Sequence, residues 1–325
     1  MRIGVVGLGA VGGLLAVRLA GAGHRVSALA RGATLAAVRA HGLVLEAGGT
    51  RSVAAVDASG DAATLGPQEL LLIAVKAPAL ATLAGSLAPL IDARTVIVPA
   101  MNGVPWWFTA ATGAAPLASV DPDGRLAALL PVEQVLGCVV HLTCASPEPG
   151  VVKHGFGDRL VVGEPRGGAS ERANAVCAVL AEAGFSAEPS ADIRREVWYK
   201  LWGNMTMNPV PALTGAASDA ILDDPLVRDF MLRTMAEAQA IGARIGCPIA
   251  QSGDERLALA RQLGSFRTSM LQDALAGRPL ELDALVTAVH EIGARVGVAT
   301  PNIDALLGLT RLMARQRGLH PMPAP

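Results

Sequence analysis

The sequence has few aromatic residues and almost no net charge. Tyrosine, tryptophan and phenylalanine make up 3% of the 325 residues, and the formal net charge is −1. A mean hydropathy of +0.42 is high for a soluble protein, but no run reaches the roughly eighteen apolar residues that a membrane-spanning helix needs. We therefore expect no membrane association, and the charge gives no reason to expect nucleic-acid binding.

Cysteine is scarce and its spacing is uninformative. The four cysteines are far apart and form no C-x-x-C pair, and the six histidines have no metal-ligand spacing. A zinc site or a disulfide framework is therefore not expected, and buried thiols are the better interpretation. No charged leader precedes the first strand. A cytoplasmic protein without a bound metal fits these features. The cysteines are Cys138, Cys144, Cys177 and Cys247.

The length favours two domains, because single cores rarely grow to 325 residues. Over residues 1–190, short apolar runs alternate with helical stretches, and the continuous apolar character of these runs is typical of buried parallel strands. We predict a Rossmann-type, doubly wound α/β domain here. The predicted strands are Ile3–Val6, Arg25–Leu29, Leu70–Val75, Thr95–Val98, Val135–Thr143, Val151–His154 and Leu160–Val162. The predicted helices are Ala10–Ala22 and Glu171–Ala183.

Residues 191–325 are predicted to form an all-helical domain, because apolar residues recur there with a period of 3.6. A long helix is expected from Pro225 to Ile245, and Pro301 suits the first turn of another. Within the first region, Gly113–Pro131 is rich in glycine, proline and alanine, and we predict an inserted loop there.

A G-x-G-x-x-G loop follows the first strand and leads into the first helix. This context favours a dinucleotide site, since the glycines permit a tight turn, close approach to a pyrophosphate and close packing of helix on strand. A glycine turn without a ligand is the alternative. The loop residues are Gly7, Leu8, Gly9, Ala10, Val11 and Gly12.

The second strand, Arg25–Leu29, is followed by Ala30 and Arg31, and no carboxylate stands at its end. An acidic residue there would bind a free ribose 2′-hydroxyl, whereas a guanidinium suits a 2′-phosphate, so NADPH is the expected cofactor. A solvated surface arginine is the alternative. Lys76 and Asn102 follow later strands at the same sheet edge, where either ligand contacts or ordinary loop residues can occur.

Lys200, Asn204 and Asn208 are spaced i, i+4, i+8 and so form one stripe on a predicted helix. Their neighbours are mostly apolar, and buried asparagines without partners are costly. The stripe therefore indicates either a polar pocket wall or a hydrogen-bonded interior network. Downstream lie Ser269 and Glu281, the latter at the predicted start of the next helix, where a carboxylate also stabilises the helix dipole.

Together these features resemble the 2-dehydropantoate 2-reductases, or ketopantoate reductases. The resemblance rests on the order and spacing of the glycine loop, the strand-end residues, Lys200-x3-Asn204-x3-Asn208-Pro209, and Ser269-Met-Leu-Gln-Asp with Glu281 twelve residues on. It implies a Rossmann domain, a helical domain, a cleft between them, and NADPH-dependent reduction of 2-dehydropantoate, a small 2-oxo acid, to pantoate.

The resemblance also implies individual roles. Lys200 corresponds to the general acid, with Asn204 and Asn208 holding the lysine and the substrate oxygens. Ser269 corresponds to a substrate contact, and Glu281 to an acceptor for a substrate hydroxyl that also borders the cofactor. Asn102 and the backbone near Thr143 correspond to contacts on the nicotinamide side of the cofactor.

Two features depart from the family pattern. The stretch from Trp106 to Pro131 is longer than expected, and Ser218 stands where a further substrate asparagine is expected. A 3-hydroxyacid dehydrogenase of similar architecture, or a non-catalytic NADPH sensor, is the alternative function. Arg31, Ser269 and Glu281 argue against the first, and the intact lysine stripe argues against the second. A homodimer is left open.

Overall fold

The first part of the chain alternates strands and helices, and the last part is helical, as the apolar periodicity predicts. The computed structural model describes residues 1–322. The strands are β1 (Arg2–Val6), β2 (Arg25–Leu29), β3 (Leu43–Ala47), β4 (Thr50–Ala54), β5 (Asp57–Ser59), β6 (Leu70–Ile73), β7 (Val96–Pro99), β8 (Gly137–His141), β9 (Cys144–Ala145), β10 (Val151–His154), β11 (Arg159–Gly163) and β12 (Ser186–Ser190).

Helices dominate the second half of this region. They are α1 (Ala10–Gly21), α2 (Gly32–His41), α3 (Ala77–Leu83), α4 (Trp107–Ala110), α5 (Arg125–Leu129), α6 (Glu171–Glu182), α7 (Ile193–Met207), α8 (Pro209–Thr214), α9 (Ser218–Asp223), α10 (Pro225–Arg244), α11 (Gly253–Gln262), α12 (Ser269–Leu275), α13 (Ala288–Arg295) and α14 (Pro301–Gln316). No helix in residues 1–322 is long and apolar enough to cross a bilayer.

The described chain divides into two compact units. The first comprises Met1–Pro116 and Asp121–Glu196, and the second comprises Leu117–Val120 and the chain from Val197 onward. The domains predicted from the sequence, 1–190 and 191–325, remain a prediction. The division found here comes a few residues later and assigns a short part of the 113–131 segment to the second unit.

A five-stranded parallel sheet forms the centre of the first unit, in the order β5-β2-β1-β6-β7. All four residues of β6 are buried, which explains its uninterrupted apolar sequence. The chain order reverses at β1, because β2 lies on one side of it and β6 on the other. The glycine loop after β1 therefore lies at the switch point where open α/β sheets bind ligands.

Two smaller sheets complete the first unit. One has the order β4-β3-β10-β9 and the other the order β12-β11-β8. The predicted strand Val151–His154 is confirmed, and the predicted strands Val135–Thr143 and Leu160–Val162 occur with shifted ends. The strands β3, β4 and β5 were not predicted, since their short polar-flanked sequences carry little periodic signal.

The segment Gly113–Pro131 is more ordered than the predicted loop, so that prediction was wrong in part. The carboxylate of Asp121 accepts backbone hydrogen bonds from Leu126 and Ala127, at 2.9 and 3.0 Å, and so caps α5. At the base of the segment the Trp106 indole N–H donates to the Leu130 carbonyl at 3.0 Å.

In the second unit, α7 packs on α10 through two buried tryptophans. The indole N–H of Trp202 donates to the Met235 carbonyl at 2.9 Å, and that of Trp198 donates to the Ala238 carbonyl at 3.3 Å. Both indoles are 1% exposed. These bonds satisfy the polar ends of two large apolar side chains, and they fix which face of α7 is turned inward.

Candidate active site

Two of the loop glycines are required by close packing. Gly7 has φ +90°, and a Cβ on it would lie 2.5 Å from Val75 Cγ1. A Cβ on Gly12 would lie 1.9 Å from the Gly7 carbonyl oxygen. Neither position can hold a larger residue without a backbone shift, so the strand and helix approach each other only because both residues are glycine.

Gly9 differs, because a Cβ on it would meet no atom within 4 Å. It is exposed, and it is the N-cap residue of α1, whose first turn carries no acidic residue. Open space beside an uncapped helix N-terminus suits an anionic group such as a pyrophosphate, which the free backbone N–H groups and the helix dipole would stabilise. The geometry of the loop is therefore compatible with a dinucleotide at this position.

The remaining loop residues line the start of α1. Leu8 is 4% exposed and belongs to the core of the first unit. Ala10 and Val11 are half-buried at the first turn of the helix. Their side chains anchor the turn, which leaves their backbone N–H groups for a ligand.

A pocket of about 390 Å³ opens beside the loop, and its lining includes Gly7, Leu8 and Arg31. Arg31 is exposed and is the N-cap residue of α2. No ion pair to Arg31 is found within residues 1–322. An unpaired guanidinium on a pocket wall is available to an anion. Thr34, one turn into α2, adds a hydroxyl to the same pocket.

Lys76 and Asn102 lie at the carboxyl edge of the main sheet, as predicted. Lys76 is the N-cap residue of α3 and is half-buried. Asn102 follows β7, is half-buried, and precedes Gly103, whose φ of +85° turns the chain. Both positions are therefore at the edge where the glycine loop also lies.

Thr143 has its hydrogen-bonding groups engaged within the fold. Its backbone N–H donates to the Phe156 carbonyl at 2.7 Å, its carbonyl accepts from Gly155 at 2.8 Å, and its hydroxyl accepts from the Phe156 N–H at 2.7 Å. The neighbouring Cys144 is a half-buried thiol. Burial raises the pKa of Cys144 to about 12, so this thiol stays protonated and is a poor nucleophile.

In the second unit, Lys200 and Asn204 lie on α7, on the side opposite the two tryptophans. At 100° per residue, position 200 is turned roughly 200° from Trp198, and position 204 lies next to it. Both residues are half-buried, whereas their neighbours Leu201 and Met205 are buried. The structure thus places the lysine and the first asparagine on one face of α7, opposite the face that carries the two tryptophans.

Asn208 lies just past the end of α7 and not within it, which corrects the prediction of one uninterrupted helical stripe. It is the N-cap residue of α8, and Pro209 occupies the first position of that helix. Its backbone N–H still donates to the Asn204 carbonyl at 3.0 Å, so the helical spacing continues to this residue. Asn208 is 6% exposed. The junction exists because proline cannot continue α7.

Ser269 and Glu281 come at helix beginnings. Ser269 is the exposed first residue of α12, after Thr268, whose hydroxyl accepts from the Leu271 N–H. Glu281 is half-buried and is not itself helical. The helical segment that continues into α13 begins one residue later, at Leu282. The helix opens with a π-turn at Asp283–Thr287. Such π-turns are rare and occur frequently at functional sites.

Ser218, the departure from the family pattern, is used by the fold. It is 0% exposed. Its hydroxyl donates to the Gly264 carbonyl at 3.0 Å and accepts from the Phe266 N–H at 2.9 Å. The serine therefore holds the segment that leads into α12 and Ser269. At this position, where the resemblance implied a substrate asparagine, the chain has a hydroxyl with a structural role.

The sequence analysis missed several lining residues of the pocket, including Thr34 and Asp61. Thr34 and Asp61 line it together with Arg31. Thr34 could have been found from its position three residues after Arg31. Asp61 could not, because it follows the edge strand β5, which the sequence pattern does not reveal.

The fold and the glycine loop define the class: a Rossmann-type dinucleotide-binding unit joined to a helical unit. Comparison with known proteins narrows it. The sequence profile described as "Ketopantoate reductase PanE/ApbA" matches residues 3–167, and "Ketopantoate reductase PanE/ApbA C terminal" matches residues 192–314. The chain belongs to the ketopantoate reductase family.

Relatives over the full length agree with this assignment. The 2-dehydropantoate 2-reductase of Mesorhizobium japonicum is 42% identical over 98% of this chain and all of its own. A crystal structure from Ralstonia solanacearum MolK2, assigned to the ketopantoate reductases, has a TM-score of 0.95 and 57% identity. It covers 98% of this chain and 99% of its own. The family is one of oxidoreductases that act on 2-dehydropantoate with a nicotinamide cofactor.

The fold alone is shared more widely. D-mandelate dehydrogenase, solved with NADH and anilino(oxo)acetate, has a TM-score of 0.84 at 20% identity, covering 98% of this chain and all of its own. The fold therefore decides neither the dinucleotide nor the 2-oxo acid, and both have to be argued from particular residues.

Proposed function

We propose that this protein reduces 2-dehydropantoate to pantoate with NADPH, and that Lys200 is the general acid. The observation that carries the proposal is the polar face of α7. Lys200 and Asn204 lie there together, half-buried, while the opposite face is held by buried tryptophans. A half-buried lysine on a rigid helix is suited to holding a proton at a fixed position.

The cofactor would be held by the first unit. The open space at Gly9 and the N-terminus of α1 suit the pyrophosphate. Arg31, with Thr34 beside it, suits a ribose 2′-phosphate, which supports NADPH over NADH. Lys76, Asn102 and the backbone near Thr143 are proposed contacts further along the dinucleotide. When bound, NADPH supplies the hydride that is added to the ketone carbon.

The substrate and the proton would be handled by the second unit. Lys200 donates its Nζ proton to the ketone oxygen, so that the carbonyl becomes a hydroxyl, and the lysine is reprotonated from solvent. Asn204 and Asn208 orient the lysine and the substrate oxygens through their amides. Ser269 contributes a hydroxyl to the substrate.

The choice of 2-dehydropantoate as the substrate is supported by Glu281. A carboxylate repels the acid group of a 2-oxo acid, so it suits a neutral hydrogen-bond donor. The hydroxyl at the far end of 2-dehydropantoate is such a donor, and simple 2-oxo acids lack it. Glu281 would also border the cofactor.

The test of Lys200 uses the scarcity of lysine in this chain. Removing a positioned acid typically lowers the rate by about 10²- to 10⁴-fold, so Lys200→Ala should lose that much kcat and keep its affinity for NADPH. Lys153 is exposed on β10 and provides the matched control. Lys153→Ala should match the unmodified enzyme in steady-state assays and NADPH titration. A Lys200→Ala enzyme that retains most of its kcat removes the lysine from the reaction.

We also propose a cytoplasmic homodimer. A ketopantoate reductase from Staphylococcus aureus described as dimeric has a TM-score of 0.75 at 18% identity, covering 98% of this chain and all of its own. Sedimentation of the purified protein tests this: a single species of one chain's mass would exclude the dimer.

A further inference from the structure

The pocket beside the glycine loop carries two opposite charges at equivalent positions of adjacent strands. β2 and β5 run parallel, with Leu29 in register with Ser59. Arg31 and Asp61 each come two residues past these paired strand ends, and both line the pocket. The register therefore places a cation and an anion side by side along one wall.

The two charges suit different parts of a phosphorylated adenosine. A phosphate is attracted by Arg31 and repelled by Asp61, so an anionic end should lie towards the arginine. Asp61 then requires a donor. The lining also includes the apolar side chains of Ala62, Ala79 and Leu83, which suit the faces of a planar base.

Asp61 is fixed in place by its own loop. Its backbone N–H donates to Ser59 Oγ at 3.1 Å, its carbonyl accepts from Thr64 Oγ1 at 2.8 Å, and its Oδ1 accepts from the Ala63 N–H at 3.0 Å. Oδ2 has no such partner within the described residues. One carboxylate oxygen is thus held rigidly while the other remains available to a ligand.

Ser86, whose hydroxyl is also on the pocket lining, is a less suitable acceptor than Asp61. Ser86 donates its proton to the Leu83 carbonyl at 2.7 Å, and a neutral hydroxyl oxygen is a weaker acceptor than a carboxylate. Asp61 is therefore the strongest acceptor on the lining. The exocyclic amino group of adenine is the one strong donor on that base.

We infer that Asp61 reads the base of the cofactor: its Oδ2 accepts a hydrogen bond from the adenine amino group, so that the protein selects adenine over hypoxanthine dinucleotides. This inference rests on the proposed use of the pocket for NADPH. It adds a specificity-determining residue that acts on the base and leaves the phosphate to Arg31.

The test compares NADPH with its hypoxanthine analogue, which presents a carbonyl oxygen where adenine has the amino group. Dissociation constants are measured by fluorescence titration, with no turnover required. Asp61→Asn keeps an oxygen to cap Ala63 and replaces the other with an amide donor. Asp57→Asn is the matched control, because Asp57 is exposed on the same strand and is not on the pocket lining.

The unmodified protein should bind NADPH about tenfold or more tightly than the analogue, as expected for a charge-assisted hydrogen bond. Asp61→Asn should bring the two dissociation constants together or reverse their order, and Asp57→Asn should leave the preference unchanged. An equal preference in the unmodified protein and in Asp61→Asn overturns the inference. The inference is also overturned if Asp61→Asn binds both dinucleotides more tightly than the unmodified protein by the same factor. That result would mean that Asp61 only repels the phosphates. Failure of the unmodified protein to bind either dinucleotide overturns the proposed function as well.

Discussion

At the scale of single residues, the loop glycines do two different things. Gly12 has no room for a side chain because the Gly7 carbonyl oxygen would lie 1.9 Å from its Cβ. Gly9 has room for a side chain, because no protein atom lies within 4 Å of the position that its Cβ would take. Gly12 is therefore required by packing, whereas Gly9 is required only if a ligand approaches the loop.

This contrast gives a paired prediction. Gly12→Ala should lower the free energy of unfolding by about 1–3 kcal/mol, the usual cost of forcing extra volume into a packed site. Gly9→Ala should leave Tm unchanged and weaken NADPH binding by roughly tenfold or more, because its methyl would occupy the space of the pyrophosphate. Thermal unfolding and NADPH titration of both variants separate these effects. A Gly9→Ala protein that binds NADPH normally argues against a pyrophosphate at this loop.

Arg31 should set the choice of dinucleotide. A charge-assisted contact to phosphate contributes about 1.5–3 kcal/mol, or roughly tenfold to a hundredfold in affinity. Arg31→Ala should raise the KM for NADPH by about that factor and leave the KM for NADH nearly unchanged. Arg25→Ala is the control, since Arg25 is exposed at the opposite end of the same strand. Equal use of NADPH and NADH by the unmodified enzyme would refute the assignment.

The proposed roles of Arg31, Lys76 and Lys200 rest on residue identity and on position along the chain, which a sequence provides, and they remain predictions. The chain has only three lysines, Lys76, Lys153 and Lys200, in a background of arginine. Two of them come at predicted site positions. An ammonium changes its protonation state more readily than a guanidinium does, so a lysine is better suited than an arginine to donate a proton. Asp61 was missed because its role depends on strand pairing.

At the scale of elements, helix ends were the least predictable feature. The Lys200 to Asn208 spacing suggested one helix, yet Pro209 ends it before Asn208 and starts α8. Glu281 lies one residue before its helix, and the π-turn that follows cannot be recognised from a 3.6-residue period. The apolar periodicity fixes the middle of a helix, whereas local hydrogen bonds fix its ends.

The inserted segment is anchored by one carboxylate. Glu291 on α13 accepts backbone bonds from Ala118 and Ser119, at 2.9 and 3.0 Å, and a 2.7 Å bond from the Ser119 hydroxyl. Arg295 donates to the same carboxylate at 2.6 Å. Burial raises the pKa of Glu291, but these hydrogen bonds outweigh it and hold the pKa below its usual value. These hydrogen bonds join residues that are about 170 positions apart in the sequence, so they could not be predicted from the segment itself.

This anchor should depend on pH. Because the folded-state pKa of Glu291 is lowered, its contribution to stability is present above the unfolded value, about 4.3, and is lost as the pH falls through the folded value. Glu291→Gln should reduce the free energy of unfolding by about 1–3 kcal/mol at pH 7. The difference from the unmodified protein should shrink below pH 4 in urea unfolding. Glu148→Gln, at an exposed position, should show no such pH dependence. A constant difference at all pH values would mean that the charge of Glu291 does not hold the segment.

At the scale of the whole molecule, the class of fold followed from composition and periodicity. Buried apolar strands predicted the parallel sheet, and the later 3.6-residue period predicted the helical unit. The three sheets and the division after Glu196 depend on pairings between distant strands, which a single sequence does not encode in local form. The substrate is likewise not decided by the fold, as the similarity to D-mandelate dehydrogenase illustrates.

The most direct test of the proposed function is therefore the substrate preference of the purified enzyme. NADPH oxidation is measured with 2-dehydropantoate and with 2-oxoisovalerate, which lacks the terminal hydroxyl, and NADP reduction is measured with 3-hydroxy acids. A hydrogen bond from the substrate hydroxyl to the Glu281 carboxylate should contribute about 1.5–3 kcal/mol, so 2-dehydropantoate should exceed 2-oxoisovalerate by about tenfold or more in kcat/KM. Glu281→Ala should narrow that gap. Comparable kcat/KM values for the two 2-oxo acids, or turnover with 3-hydroxy acids alone, would contradict the proposal.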